Sequence, residues 1–181
     1  MDKRIGAQLY SLRTFLEKPE DLDPTFAKVA DIGYKTIQVS GLGPMPYSLI
    51  KEKADQHGLE IVCTHMGMDR YIHEIDGVIA DHKAMDCKIA GIGAMPGEYR
   101  EDLDALKKSI NHFNKFSEEL GKEGITFGYH NHGFEFVKLD GKQSAPVGRG
   151  IVQPCCRKHR HQFHCRYILV CVCRNRPGGV Y

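Results

Sequence analysis

Short β-prone apolar runs recur through the first 142 residues, roughly every 30 residues, and each gives way to a stretch with helical spacing. Strands are expected at residues 4–10, 36–39, 60–65, 88–94 and 125–132. Between them lie candidate helices ending at Asp31, over 47–57, over 69–86 with a break near Asp76-Gly77, and from Leu103 to Leu120. The last is the clearest: Leu103, Leu106, Ile110, Phe113, Phe116 and Leu120 step by three or four and form one apolar stripe. Asp23-Pro24 reads as a helix cap followed by a proline at the first helical position, and Gly33, Gly58, Gly121 and Gly124 as stops. A strand–helix alternation of this period argues for a parallel sheet in an α/β fold.

Charge divides the chain. All 23 Asp and Glu residues lie within residues 1–142, the last being Asp140, beside 18 Lys and Arg, a net of −5. Residues 143–181 hold no acid, seven Lys and Arg, and five of the seven cysteines. A globular segment of that length ordinarily includes several acids. We read 1–142 as one unit and 143–181 as an aberrant basic, Cys-rich tail produced by a reading-frame slip; a natural basic tail is the alternative. Read one nucleotide later, the codons from Gln162 through Val170 permit Asn-Phe-x-x-Asp-x-Tyr-Trp, which restores acids and aromatics.

No apolar run follows Met1-Asp2-Lys3-Arg4 and none is long enough to span a bilayer, so neither a secretory leader nor membrane association is expected. Two scattered cysteines before residue 143 suit a reducing cytoplasm. The tail's Cys155, Cys156, His159, His161, His164, Cys165, Cys171 and Cys173 lack the paired spacing of a zinc site. Its basic character would touch nucleic acid without specificity, and Gly41-x-Gly43 and Gly91-x-Gly93 lack the rest of a dinucleotide fingerprint.

The run with most chemistry is Ile125-Thr126-Phe127-Gly128-Tyr129-His130-Asn131-His132-Gly133-Phe134-Glu135-Phe136. Alternation puts Ile125, Phe127 and Tyr129 on one face and His130 and His132 together on the other. Neutral imidazoles so placed serve as metal ligands or acid/base groups, or else hydrogen-bond neighbouring loops. Glu135 offers a carboxylate ligand or proton acceptor, or is a solvated loop acid. His65 ends the third strand as a proton-transfer or substrate-binding group, or a satisfied structural histidine. Gln8 and Gln38 fall on the inward face of strands one and two; they bind hydroxyls, or are hydrogen-bonded interior amides. His57, His73, His82 and His112 lie on helical stretches and are expected at the surface.

Tyr129-His130-Asn131-His132-x-Phe134-Glu135-Phe136 resembles the fifth strand and loop of the sugar phosphate isomerase/epimerase group of xylose-isomerase-like TIM barrels. Ile5-Gly6-Ala7-Gln8-Leu9-Tyr10-Ser11-Leu12-Arg13 resembles its first strand, Gly33-Tyr34-Lys35-Thr36-Ile37-Gln38-Val39 its second, and Cys63-Thr64-His65-Met66-Gly67 the end of its third. The likeness covers residues 1 to about 142, four strand–helix units and a fifth strand of a partial (β/α)8 barrel, which needs about 250 residues when complete.

The resemblance implies a metal-dependent sugar or sugar-phosphate isomerase or epimerase, or a keto-sugar or inosose dehydratase-like lyase. It further implies a small-molecule carbohydrate substrate, no specific nucleic acid, and a divalent metal (Mn, Mg, Co or Zn) in the intact form that this chain need not hold. Catalysis would fall to His65, His130 and Glu135, substrate binding to Gln8, Gln38 and His132, and metal binding to His130 and Glu135. Many members carry a Glu where His130 stands, and their remaining ligands come from strands six to eight, which have no counterpart here. As 181 residues the chain is expected to be inactive. A non-catalytic barrel fragment is the alternative, and an abasic-site endonuclease-like barrel a more distant one. Open edges at strands one and five would invite self-association, and Tyr167-Ile168-Leu169-Val170-Cys171-Val172-Cys173 has the strand propensity to cover one.

Overall fold

A computed structural model describes residues 5–130, 132 and 170–172. Five parallel strands alternate with helices: β1 (Ala7–Gln8), α1 (Leu22–Asp31), β2 (Thr36–Ser40), α2 (Tyr47–Gln56), β3 (Glu60–Met66), α3 (Met68–His73), α4 (Ile75–Ala84), β4 (Ile89–Ile92), α5 (Leu103–Lys122) and β5 (Thr126–His130). A sixth strand, β6 (Val170–Val172), comes from the basic tail. Two compact units result, Met1–Met66 with Asp76–Ala90, and Gly67–Ile75 with Gly91–Tyr181.

In the first unit β1, β2 and β3 lie side by side in parallel. Every residue of β2 is buried, as expected for a central strand covered on both faces. Phe26 and Val29 of α1, Ile50 and Ala54 of α2, and Val78 of α4 join Ile37, Val39 and Ile61 in the core. The first strand is shorter than its apolar run suggested. Only Ala7 and Gln8 find partners, Ile37 and Gln38; the chain then coils into a 3-10 segment, Leu9–Phe15, where a strand end and a loop were expected. Burial of Leu9 and Leu16 draws the segment inward.

The second unit is held by aromatic rings. Phe113 of α5 meets Phe127 and Tyr129 of β5 at centroid distances of 5.4 and 5.1 Å, and Phe116 and Phe127 both pack on Tyr71, at 5.4 and 5.7 Å. Tyr71 is wholly enclosed, and its hydroxyl donates to the Gly91 carbonyl at 2.8 Å, so the polar tip is satisfied inside an apolar cluster. Asp102 caps α5, accepting from the Asp104 and Ala105 amides at 2.9 and 2.7 Å.

β6 runs antiparallel to β5, with Gly128 opposite Val172, Tyr129 opposite Cys171 and His130 opposite Val170. Three residues of the β-prone run thus pair along β5. Its direction is opposite to that of the parallel strand that continues a (β/α)8 barrel.

His82 corrects the surface expectation. It is 0% exposed, its Nδ1–H donating to the Val78 carbonyl at 2.7 Å and its Nε2 accepting from the Thr64 hydroxyl at 2.8 Å. Both nitrogens being used, burial leaves no unmet polar group. His57 and His112 are half-buried and His73 exposed.

Four helices end on the same pair of backbone bonds. After α2, Leu59 N–H reaches the Ala54 carbonyl and Gly58 N–H the Asp55 carbonyl, a Schellman motif. Gly33 after α1 and Gly124 after α5 repeat it with positive φ. After α4 the same bonds, Cys87 to His82 and Asp86 to Lys83, force Asp86 to φ 50°. A side chain in that region costs about 1–2 kcal/mol, less for Asp than for most residues. Asp86 also faces Lys88 at 3.6 Å, but both are exposed, where such pairs contribute little. Asp86→Gly is therefore expected to stabilise the chain by about 1 kcal/mol, read from urea unfolding; a loss of stability would contradict the account.

His112 stacks on Phe116 at 5.9 Å and meets the Tyr99 ring edge-on at 5.8 Å. Burial first, then the charges of Lys108 and Lys115, hold its pKa below the ordinary histidine value. Protonation therefore favours unfolding. The histidine's contribution is complete above the ordinary imidazole value and is lost as pH falls through the lowered one. His112→Phe, which keeps the stacking, should lose less stability than the wild type between neutral and mildly acidic pH, followed by thermal melts.

Candidate functional site

The β2–β3 ladder sets the chemistry of the first unit. Thr36 pairs with Glu60 and Ile37 with Ile61, then Gln38 pairs with Cys63, Val39 with Thr64 and Ser40 with His65. Val62 is the extra residue, a bulge that shifts the register by one. Because a one-residue shift exchanges the faces of a strand, it aligns His65 with the Gln38 side of the sheet. Gln8 is level with Gln38 in the β1–β2 ladder, so Gln8, Gln38 and His65 share one face. Thr64, one residue before His65, points the other way and bonds His82 of α4. The three candidates thus occupy the face turned away from α4, at or near the C-terminal ends of their strands.

Gln38 is 4% exposed, and its Nε2 lies 2.6 Å from His65 Nε2. Two candidates named for separate roles are therefore one hydrogen-bonded unit. Cys63 shares the ladder but is no nucleophile: burial, then the nearby Cys87 thiol, push its pKa up to about 12. Cys87 is raised to about 11, chiefly by burial. A thiolate is the reactive species, and neither residue supplies one near neutral pH.

The segments that leave β1 and β2 dock on each other. The loop after β2 docks on the segment after β1, Gly43 N–H donating to the Leu16 carbonyl at 2.9 Å. A Cβ on Gly43 would stand 1.9 Å from the Glu17 carbonyl oxygen, and one on Gly41, at φ 70°, 2.6 Å from Tyr10 Cδ2. The Arg13 guanidinium lies over the Tyr10 ring at 4.5 Å and donates to the Tyr10 carbonyl. Reasoning from sequence took the two glycines as weak turn signals and passed over the Tyr10–Arg13 pair, because both depend on where the other loop lies.

In the second unit His130 is the last residue of β5. Ile125, Phe127 and Tyr129 are buried, the latter two against α5, so His130 lies on the face away from that helix. The His130 and His132 rings are nearly parallel, 8° apart in plane with centroids 4.8 Å apart. The pair presents two nitrogen donors. Glu135, the carboxylate expected to join them, lies outside the described residues, and no cluster of three or more His, Cys, Asp or Glu able to hold a metal occurs among those described. Two imidazoles do not meet the oxygen-rich demand of Mn²⁺ or Mg²⁺. The described residues therefore do not fit a hard divalent cation. Nor is any described helix long and apolar enough to cross a membrane.

Gly43→Ala should cost about 1–3 kcal/mol by forcing the two loops apart, while Gly121→Ala, whose Cβ would meet nothing within 4 Å, should cost nothing. Equal effects in denaturant titrations would mean the loops are not docked.

No family model matches the chain, and no curated protein does. Solved structures do. A sugar phosphate isomerase/epimerase from Parabacteroides distasonis superposes with a TM-score of 0.65 at 23% identity, over 79% of this chain and 57% of that one. A second from the same organism gives 0.55 at 26%, over 75% and 57%. A family 2 AP endonuclease from Brucella melitensis gives 0.51 at 20%, over 67% and 52%. The chain thus spans little more than half the length of these proteins. The chain has the fold of part of their (β/α)8 barrel, and the first two bear the name of the group its strand-end motifs resemble.

Proposed function

We propose that residues 1–142 are the first part of a carbohydrate isomerase, epimerase or related lyase, and that the 181-residue chain is itself inactive. The observation that carries the reading is that Gln8, Gln38 and His65 share the sheet face turned away from α4, at or near the C-terminal ends of their strands, where barrel enzymes do their chemistry. Amides and a neutral imidazole suit the hydroxyl and carbonyl groups of a sugar: Gln8 would bind hydroxyls, and His65 would contact the oxygen whose charge grows as the neighbouring C–H is deprotonated. His132 would join in substrate binding, with His130 and Glu135 as the acid/base or metal-binding groups of the intact protein. A divalent metal implied by the resemblance would draw its further carboxylates from strands six to eight, and residues 143–181 contain no Asp or Glu.

The antiparallel direction of β6 and the loss of every acid after Asp140 support a boundary near residue 142 and a slipped reading frame beyond it. Free buried thiols at Cys63 and Cys87 suit a reducing cytoplasm. The endonuclease reading has the Brucella structure in its favour, but its polyanionic substrate is a poor match for a segment of net charge −5. Nucleotide sequence around codons 140–145 tests the boundary. Restoring the frame, adding Mn²⁺ and following solvent proton exchange into keto-sugars tests the activity. Exchange into one sugar by the restored protein and none by the 181-residue chain is expected; no exchange with any sugar, or cleavage of abasic DNA instead, would overturn the reading.

A further inference from the structure

We infer that Gln38 is a positioning residue that holds neutral His65 with its proton on Nδ1, so that His65 acts as a hydrogen-bond donor and not as the base. The inference rests on the carbohydrate reading for its catalytic meaning, but not for its geometry. An amide nitrogen carries only protons, so with Gln38 Nε2 2.6 Å from His65 Nε2 the amide donates and the imidazole nitrogen accepts with its lone pair. A neutral imidazole has one such lone pair; the remaining proton sits on Nδ1.

Three features hold the amide in place. Gln38 lies on a strand with every residue buried and is itself 4% exposed, so the side chain is kept from swinging out to solvent. The register shift at Val62 puts Gln38 and His65 on one face, two positions apart along the ladder, within diagonal reach of a long side chain. Thr64 is pinned on the opposite face by His82, which resists slippage of β3 back into the unshifted register.

The chemical consequence is a division of labour. With Nε2 occupied, neutral His65 has no lone pair to take a substrate proton. The proton it carries is on Nδ1, so toward an oxygen that gains negative charge it can act only as a donor, and the base must be another group. Gln38 then serves substrate through His65, and not chiefly as a binder of hydroxyls.

The test is the tautomer of His65 in the 181-residue chain, read from two-bond ¹H–¹⁵N correlations on ¹⁵N-histidine-labelled protein, with the His65 signals identified by their disappearance in His65→Asn. The expected wild-type pattern is a pyridine-like Nε2 and a pyrrole-like Nδ1. In Gln38→Met the proton should shift largely to Nε2, the form free imidazole prefers, and in Gln38→Glu it should sit on Nε2, donating to the new carboxylate. A wild-type proton on Nε2, the state produced if the amide oxygen faces the ring, would overturn the inference, as would an unchanged pattern in a cooperatively melting Gln38→Met. Should that variant fail to fold, the wild-type spectrum still decides. No sugar is needed, so failed solvent exchange leaves this result standing, and an Nε2–H tautomer leaves the carbohydrate reading untouched.

Discussion

The hydrogen-bond ladder between β2 and β3 is the constraint on which the first unit depends. β2 is buried along its whole length, so its position is determined by packing on both faces, and β3 must align to it. The one-residue register shift at Val62 then divides β3 between two tasks. Thr64 turns to α4 and satisfies the buried His82, while His65 turns to the other face and meets Gln38. Without the shift the imidazole and the threonine would exchange faces, leaving His82 without its hydroxyl and Gln38 without its imidazole. The Thr64–His82 bond and the Gln38–His65 contact are thus coupled through a single inserted residue.

The second unit answers a different need. Its aromatic cluster, centred on Tyr71, Phe113, Phe116 and Phe127, anchors β5 from the helix side and directs His130 the opposite way. At the strand's edge, pairing with β6 satisfies backbone groups that would otherwise be open. Three residues of strongly β-prone sequence are enough for that. They do not supply carboxylates or a parallel sixth strand, so closing the edge and completing a site are separate matters.

Helix–strand alternation was legible because its signals are local. The stripe through Leu106, Phe113, Phe116 and Leu120 is buried as its spacing required, and Gly33, Gly58 and Gly124 sit at helix ends with positive φ. Two errors share a cause. The 3-10 segment after Gln8 has the composition of a strand end, and His82 has the polarity of a surface residue. In each case burial against segments distant in the chain overrode the local preference. His82 left one clue, since it stands four residues after Val78 and three before Met85, in line with an apolar stripe.

The sequence by itself determined most of the strands and helices and where the acidic segment gives way to the basic tail, and it named candidate side chains, because these follow from composition and from spacings within a few residues. Tertiary structure decided that Gln38 and His65 form one unit, that His82 is enclosed, and that Val170–Val172 pairs antiparallel with β5. Those depend on strand register and on contacts between segments far apart in the chain. No local pattern encodes a ladder that shifts by one residue at Val62.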